Sequence, residues 1–310
     1  MDRYLDSHLG MNDTQAVTEV TEVTTNSGLT QLRMRVRNLW ADLSRAERTV
    51  GTFLANCSPE RLLYASAQEL GADSGTSSAT VVRTVQSLGY AGLQELKRDI
   101  ATVFGSSVAP EVRLQQRIDH MGAGLADISD RVWAEASDRI ALGAQTAQLD
   151  NLAAAVELLM RGELILTYGI GTSGIAASNL ALRLNRIGRS ARAVANDGFR
   201  LADDLLQLRG KHVVVVFAPG RVTRDAEVLM QRAATVGAAA ILVTDEPDSR
   251  LGARASVLLL APHTPTGMTS EALLSIIVSD ILVQALASVD RELAVESSHQ
   301  LTNLREELGY

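Results

Sequence analysis

Apolar positions in the first third of the chain recur at helical spacing. They follow one another at intervals of three or four residues, as in Leu32, Val36, Leu39 and Leu43. This period places apolar side chains on one face of a helix. Ser44 and Glu47 then form the Ser-x-x-Glu pattern of a capping box, which begins the next helix. Pro59 suits the first position of a further short helix.

Two short helices joined by a tight turn are predicted next. The first covers Ser66 to Gly71, the turn covers 72–76, and the second covers Ser77 to Leu88. Gly89 ends the second helix, and a last helix is predicted over 92–104. The arrangement fits a helix-turn-helix, although a plain helical bundle has the same spacing.

The second half of the chain alternates between apolar runs and helical patterns. Val213 to Val216 is an unbroken run of valine, which is typical of a strand buried on both faces of a parallel sheet. Such runs occur at 163–168, 190–194, 212–217, 239–244 and 256–260. Long helices are predicted at about 110–142, 146–161 and 269–290. The pattern therefore predicts an α/β domain with helices on both sides of a parallel sheet.

Composition limits the class of protein. The chain is 46% hydrophobic and 21% charged, as in an ordinary globular protein. Its net charge of −7 and its 4% aromatic content argue against a protein that coats nucleic acid or stacks bases. They do not exclude one small DNA-binding module. Residues 1–28 are polar and rich in Thr and Glu, so a disordered tail is expected there.

The chain also lacks several signals that would indicate other compartments or cofactors. Cys57 is the single cysteine, which excludes an internal disulfide and fits a reducing cytoplasm. The start of the chain has no apolar signal core, and no run approaches the roughly 18 uncharged apolar residues of a membrane span. The histidines are scattered without metal-ligand spacing. A cytoplasmic protein without metal, cofactor or membrane partner is expected.

A glycine-rich loop follows the first predicted strand. Its residues, Gly169 to Gly174, fit G-x-G-x-x-G, the pattern of a dinucleotide-binding loop, and Asp197 stands near the place of a ribose contact. Glycines and a helix N-terminus suit any phosphate, however. The hydroxyls of Thr172 and Ser173 suit a terminal phosphate or a sugar hydroxyl, or they only cap the helix. The pattern alone leaves these alternatives open.

Several segments resemble the RpiR family of bacterial transcriptional regulators. Its N-terminal helix-turn-helix domain is matched by Leu43–Asn56, Ala67–Gly71, Ser77–Arg83 and Leu88–Lys97. RpiR regulators join this all-α domain to a sugar isomerase (SIS) domain, an α/β fold whose five-stranded parallel sheet is flanked by helices and binds phosphosugars. Tyr168–Ala177 and Thr244–Leu251 resemble SIS loops.

The resemblance implies a division of the chain into five parts. They are a disordered tail at 1–28, the helix-turn-helix domain at 29–105, a helical linker at 106–145, the SIS domain at 146–290 and a C-terminal helix at 291–310.

The resemblance also implies a partner and an interface, because the second helix of a helix-turn-helix enters the DNA major groove. Arg83 is the strongest candidate for a base or phosphate contact with a double-stranded operator. The other candidates are Ser77, Ser78, Thr80, Thr84 and Ser87 on the same helix, and Lys97 and Arg98 as contacts to the DNA backbone. Gln86 and Ser87 depart from the family, since members often carry basic residues there.

A small anionic ligand is implied for the SIS domain. The residues that would bind it are Gly171, Thr172, Ser173, Gly220, Arg221, Thr223 and Thr244. Phe217 and Pro219 stand where SIS domains have two serines after the third strand, and Pro219 also lacks an amide donor. Arg221 and Arg224 offer replacement charge. A phosphosugar, a different small anion and no ligand all remain open.

Two functions follow. In the first, a homodimer or homotetramer binds an operator and responds to a small anionic effector, and no residue is catalytic. In the second, the protein is a sugar-phosphate isomerase. That chemistry needs a general base, for which Glu271 is the candidate, although an acid at a helix start also has a purely structural role. The helix-turn-helix and the altered serine loop favour the regulator.

Overall fold

The structure is a computed structural model that describes residues 27–107, 110–122, 124–219, 222–264 and 266–310. Most of the tail predicted at 1–28 lies outside the described residues. So do Gly220 and Arg221, two of the candidate ligand-binding residues.

Helices make up the N-terminal part. They are α1 (Ser27–Asn38), α2 (Arg45–Asn56), α3 (Pro59–Tyr64), α4 (Ala67–Asp73), α5 (Ser78–Ser87) and α6 (Leu93–Ser107). Ser44 and Glu47 form the predicted capping box of α2, and Ser66 and Glu69 form a second one at α4. Leucines and valines from these helices share one core, which includes Leu32, Leu54, Leu70, Val81 and Leu96.

A helical linker follows, and it differs from the prediction. Instead of one helix over 110–142 there are two, α7 (Pro110–Met121) and α8 (Leu125–Thr146). The chain turns at Gly122, whose φ of 80° is incompatible with a continuous helix. The next helix, α9, covers Leu149–Arg161.

The C-terminal part contains the predicted parallel sheet. Its strands are β1 (Leu164–Gly169), β2 (Ala191–Val194), β3 (His212–Phe217), β4 (Ala239–Thr244) and β5 (Val257–Leu260), in the order β2-β1-β3-β4-β5. All neighbouring strands are parallel. The helices that follow are α10 (Thr172–Arg186), α11 (Gly198–Leu206), α12 (Arg224–Val236), α13 (Ala272–Val289) and α14 (Arg291–Glu307). The predicted fold class is confirmed.

The valine run of β3 explains how the sheet is covered. Val213 and Val215 join the core formed with α9, α10 and α13. Val214 and Val216 point to the other face, where α11 and α12 cover them. Each buried valine contributes about 1.5–3 kcal/mol relative to an exposed one. Burial on both faces therefore holds the helices in place and fixes the strand ends that carry the loops.

Helix α13 is apolar over most of its length. By length and composition α13 qualifies as a membrane span, since it has 18 residues and a mean hydropathy of 2.1. It packs against α10 and places Leu282, Val283 and Leu286 in the core beneath the sheet. Burial against the sheet accounts for this apolar composition, because the core helix of a globular domain needs apolar residues on several sides.

The linker helix α8 belongs to both parts of the molecule. Arg131 forms a 2.6 Å ion pair with Glu69 at the start of α4. Arg139, fully buried, donates to the carbonyls of Pro262 and Ser270 in the loop after β5. One face of α8 is thus tied to the helix-turn-helix, and another is tied to a loop at the carboxyl edge of the sheet.

Candidate functional site

The order of the strands creates a crevice at the carboxyl edge of the sheet. The chain leaves β1 toward β2 on one side and returns to β3 on the other, and ligands of open α/β sheets bind at such a switch point. The glycine loop after β1 lies there. Gly171 has a φ of 60°, and a Cβ on Gly169 would lie 2.5 Å from the carbonyl oxygen of Ser173. Both positions therefore require glycine.

A cavity of about 1210 Å³ opens above this edge. The loops after β1, β3, β4 and β5 form one wall, which we call the sheet wall. Residues of α3, α6 and α7 form the opposite wall, which we call the helical wall; they include Tyr64, Arg98 and Arg117. The predicted ligand site thus faces the N-terminal helices directly.

Three of the predicted ligand residues line the sheet wall beside Gly171. They are Thr172, Ser173 and Thr223. The Thr172 hydroxyl donates a 3.0 Å hydrogen bond to the Glu271 carboxylate, which lies at the start of α13. Thr223 caps α12, because its hydroxyl accepts from the Ala226 amide. The sheet wall therefore offers hydroxyls together with a carboxylate.

Thr244 has a different role from the one predicted. Its side chain is buried, donates to the Ala218 carbonyl at 3.0 Å and accepts from the Glu246 amide at 3.1 Å. It does not line the cavity. Its hydroxyl is occupied in joining the ends of β3 and β4, so Thr244 positions the loops and is not free to bind a ligand.

Sequence reasoning missed three polar groups in the sheet wall. Asp245 and His263 form an ion pair there when the imidazole is protonated, across the loops after β4 and β5. Tyr168, near the end of β1, has a buried hydroxyl without a hydrogen-bond partner among the described residues. Burial, and then the charges of Asp225 and Asp197, raise the pKa of Tyr168 to about 12. At neutral pH this phenol is protonated and can donate a hydrogen bond.

The sequence contained a signal for one of these three groups. Asp245 belongs to the Thr-Asp segment that resembles a SIS loop, so its place after β4 was predictable. His263 had none, because its contact with Asp245 depends on two loops that meet only in the folded sheet.

On the helix-turn-helix, the structure divides the predicted DNA-binding residues. Ser77, Ser78, Arg83 and Ser87 are exposed on α5 and Thr80 is half-buried. Ser77 accepts from the Thr80 amide as the helix cap, and Ser87 donates to Glu47 at 2.7 Å. Thr84 is fully buried, and its hydroxyl donates to the Thr80 carbonyl. Thr84 is therefore removed from the exposed face that DNA can reach.

Lys97 and Arg98, the two predicted contacts to the DNA backbone, lie on α6. Lys97 is only 2% exposed and lies near the carboxylates of Glu135 and Asp138 on α8. Burial lowers the pKa of Lys97, while Glu135, Asp138 and Glu69 oppose the shift. Arg98 lines the cavity. The prediction that Lys97 contacts the DNA backbone does not fit its burial, whereas the predicted contact of Arg98 with DNA stays a prediction.

Comparisons with known proteins agree with this architecture. The family model described as a helix-turn-helix domain of the rpiR family matches residues 28–107, and that of the SIS domain matches residues 158–287. The chain is 25% identical over 268 residues to YfhH, an uncharacterized HTH-type transcriptional regulator of Escherichia coli, covering 85% of this chain and 94% of YfhH.

A second relative is longer. The bifunctional protein glk of Burkholderia thailandensis is 25% identical over 256 residues, which are 82% of this chain but only 38% of that protein. The similarity therefore concerns a part of glk that does not reach half its length.

Two solved structures share the fold. The NanR protein of Vibrio vulnificus, complexed with ManNAc-6P, has a TM-score of 0.53 and 22% identity, covering 89% of this chain and 99% of that chain. The sugar isomerase domain of an RpiR transcription factor from Sphaerobacter thermophilus has a TM-score of 0.54 and 22% identity, covering 56% and 98%. With these matches the glycine loop is assigned to a SIS domain, and the chain, which joins an rpiR-type helix-turn-helix to a SIS domain, is an RpiR-family transcriptional regulator.

Proposed function

We propose that this regulator binds an operator through α5 and changes its affinity for DNA when a small anionic, hydroxyl-rich ligand enters the cavity. One observation carries the proposal: the cavity is lined by the loops of the SIS domain on one side and by helices of the DNA-binding domain on the other. A ligand held there contacts both domains. The ligand therefore makes different contacts in any two arrangements of the domains. Such a difference in binding is what a ligand needs to shift the equilibrium between the two arrangements.

The exposed face of α5 supports the DNA-binding half of the proposal. Arg83 is exposed there, close to the two N-terminal serines, Ser77 and Ser78. An arginine in the major groove binds guanine edges or phosphate, and hydroxyls at a helix N-terminus suit phosphate. We take 29–105 as the DNA-binding unit, 106–145 as the linker and 146–290 as the ligand-binding unit, followed by the C-terminal helix.

The chemistry of the sheet wall supports a sugar derivative. Thr172, Ser173 and Thr223 bring hydroxyls to the cavity, and Glu271 and Tyr168 add an acceptor and a donor. Such a set forms hydrogen bonds with several ligand hydroxyls. The complex of NanR with ManNAc-6P supports a phosphosugar, whereas Phe217 and Pro219, in place of hydroxyl residues, favour a different anion.

An apolar surface supports a homodimer or homotetramer. Ile175 and Leu182 on α10 and Ile281 on α13 are exposed on two helices that pack side by side. Pairing of this face with a second copy buries it and joins two α5 helices in one particle. A two-fold assembly then matches a palindromic operator in the cytoplasm.

The experiment is a DNA-binding titration with the purified full chain. Its probe is the DNA that flanks its own gene, with excess competitor DNA at about 0.15 M salt, because ionic strength dominates affinity for DNA. A panel of sugar phosphates and sugar acids is added in turn. The proposal expects specific binding that shifts with one compound. Absence of sequence-specific binding, there and in selection from random DNA, contradicts it.

An isomerase is the second candidate, because the Glu271 carboxylate lines the cavity 3.0 Å from the Thr172 hydroxyl. A general base needs such a position. Turnover of sugar phosphates that disappears in Glu271→Gln and persists after removal of residues 1–105 would establish it. The regulator predicts no turnover in either protein.

A further inference from the structure

Two arginines of the helical wall each have one nitrogen without a hydrogen-bond partner in the described part of the chain. Arg98 lies on α6 of the DNA-binding domain, and Arg117 lies on α7 of the linker. The Nε atom of each is buried and has no hydrogen-bond partner among the described residues. A guanidinium is always charged, and buried polar groups are nearly always paired. Because both residues also line the cavity, their guanidinium groups can bind an anion that enters it.

Arg117 is held at the cavity by the loop after β5. A Cβ added to Gly267 would lie 2.6 Å from Nη2 of Arg117, so the guanidinium packs directly over this glycine. Gly267 has a φ of 71°, which disfavours any side chain there. The fork of Arg117 is thus placed where the helical wall meets the sheet wall.

Two acids, Glu95 and Asp99, also line the helical wall. Glu95 accepts from the Ala91 amide, which fixes its carboxylate at the start of α6. Asp99 lies between the charges of Arg35 and Arg98. Arg35 donates to the carbonyls of Leu88 and Gly89, so its position is fixed by the backbone.

The sheet wall is a poor place for the ligand's negative charge. Glu271 already accepts from Thr172 at the N-terminus of α10, the position where an anion would otherwise bind. Glu246 and the Asp245–His263 pair line the same wall. Two like charges in direct contact repel strongly, and the repulsion grows in the low dielectric of a partly enclosed cavity. A second anion beside Glu271 is therefore disfavoured, whereas a hydroxyl donor is favoured.

We propose that the acidic group of the effector binds Arg98 and Arg117, and that its hydroxyls face Thr172 and Glu271. The ligand class is a polyhydroxylated acid, either a sugar phosphate or a sugar carboxylate. The inference rests on the proposed function, because it concerns the same cavity. It assigns the anion to the DNA-binding domain and the linker, and so the ligand connects α6 to the SIS domain through its own two ends.

Inorganic phosphate is the first probe. The melting temperature of the full chain is measured in sodium phosphate and in sodium chloride of equal ionic strength, which gives an apparent affinity for phosphate. We expect Arg98→Gln and Arg117→Gln each to lose about tenfold or more in affinity, as for the loss of a hydrogen bond to a charged group. Arg161→Gln, at an exposed ion pair on α9, is the matched control and should keep the wild-type affinity.

Arg98→Lys and Arg117→Lys test the geometry. Lysine keeps the charge but lacks the planar fork, so affinities between those of the wild type and the glutamine variants are expected. The proposal is overturned if phosphate does not raise the melting temperature of the wild type more than chloride does. It is also overturned if the glutamine variants keep the wild-type rise in melting temperature.

Two further titrations identify the acidic group. The affinities of glucose 6-phosphate and gluconate are compared, and the ligand that binds more tightly shows whether the site prefers a phosphate or a carboxylate. Both affinities are expected to fall in the two glutamine variants. Operator binding is measured in the same samples. Intact DNA binding with a lost response to the ligand supports the inference. Intact ligand binding without any operator binding contradicts the proposed function and leaves the anion site established.

Discussion

Glu135 on α8 accepts a 2.6 Å hydrogen bond from Thr264 of the loop after β5, although 129 residues separate the two in the chain. The same carboxylate accepts from the amide and hydroxyl of Thr269, at 3.2 and 2.8 Å, and from the hydroxyl of Thr266. Its charge also acts on Lys97, which lies on α6 of the DNA-binding domain. One buried carboxylate therefore joins the cavity loop to α6.

Replacing this carboxylate should strongly destabilise the protein. In Glu135→Ala, three hydroxyls and one amide lose their acceptor, and Lys97 and Arg139 lose a nearby negative charge. Removal of one member of a buried charged group costs about 3–5 kcal/mol. Glu135→Gln keeps the shape and should lose less. The free energy of unfolding is measured with urea. Glu157→Ala, in an exposed pair with Arg161, is the control and should stay within about 0.5 kcal/mol; an equal effect of both changes would contradict the role of Glu135.

Substitutions at the neighbouring positions Arg83 and Thr84 distinguish a residue that contacts DNA from one that packs in the core. Arg83→Ala should weaken specific operator binding by about 1–3 kcal/mol while the oligomer persists, because a base or phosphate contact is lost. Thr84→Val should leave DNA affinity unchanged, since Thr84 lies on the buried face of α5. Fluorescence anisotropy with labelled operator measures both. If Arg83→Ala binds like the wild type, Arg83 is not part of the interface.

The dependence of DNA affinity on salt concentration tests whether Lys97 contacts DNA. A lysine that contacts phosphate contributes about one unit to the slope of log affinity against log salt. Because Lys97 is buried against α8, Lys97→Met should keep the wild-type slope. A slope reduced by one unit would show that α6 turns Lys97 toward DNA in the complex.

Lys97 should also make stability depend on pH. Burial lowers its folded-state pKa below the unfolded value of about 10.4. Between these two pKa values the unfolded chain binds more protons than the folded chain. The free energy of unfolding of the wild type therefore rises with pH. The stability of Lys97→Met relative to the wild type should therefore fall as pH approaches 10.4. A constant difference in unfolding free energy from pH 7 to pH 10 would contradict this.

Pro219 tests where the anion lies. Pro219→Ser restores an amide donor and a hydroxyl in the loop after β3, on the sheet wall. If Arg98 and Arg117 hold the anion, phosphate affinity should change by less than about threefold. Pro219→Ala is the control for the backbone alone. A tenfold gain specific to serine would place the anion on the loop after β3 instead.

The fold followed from sequence more fully than the site did. Continuous valine in β3, the capping box of α2 and the glycines after β1 are local signals, and each predicted its element. Lys97 and Thr84 were misplaced because helical periodicity does not tell which partner covers a face. Lys97 lies against α8, a helix whose start at Leu125 depends on the turn at Gly122. The helical wall was not predictable, because it forms only where separate domains meet.

The position of α8 has a consequence for exchanging domains between relatives. Cutting the chain before α8 deprives the DNA-binding half of the acids around Lys97 and of the partner of Glu69. Cutting after α8 deprives the other half of Glu135 and Arg139, which hold the loop after β5. A hybrid that combines this DNA-binding domain with the SIS domain of a relative therefore needs an α8 whose two surfaces match both domains. Hybrids joined at a point inside this helix are expected to fold poorly.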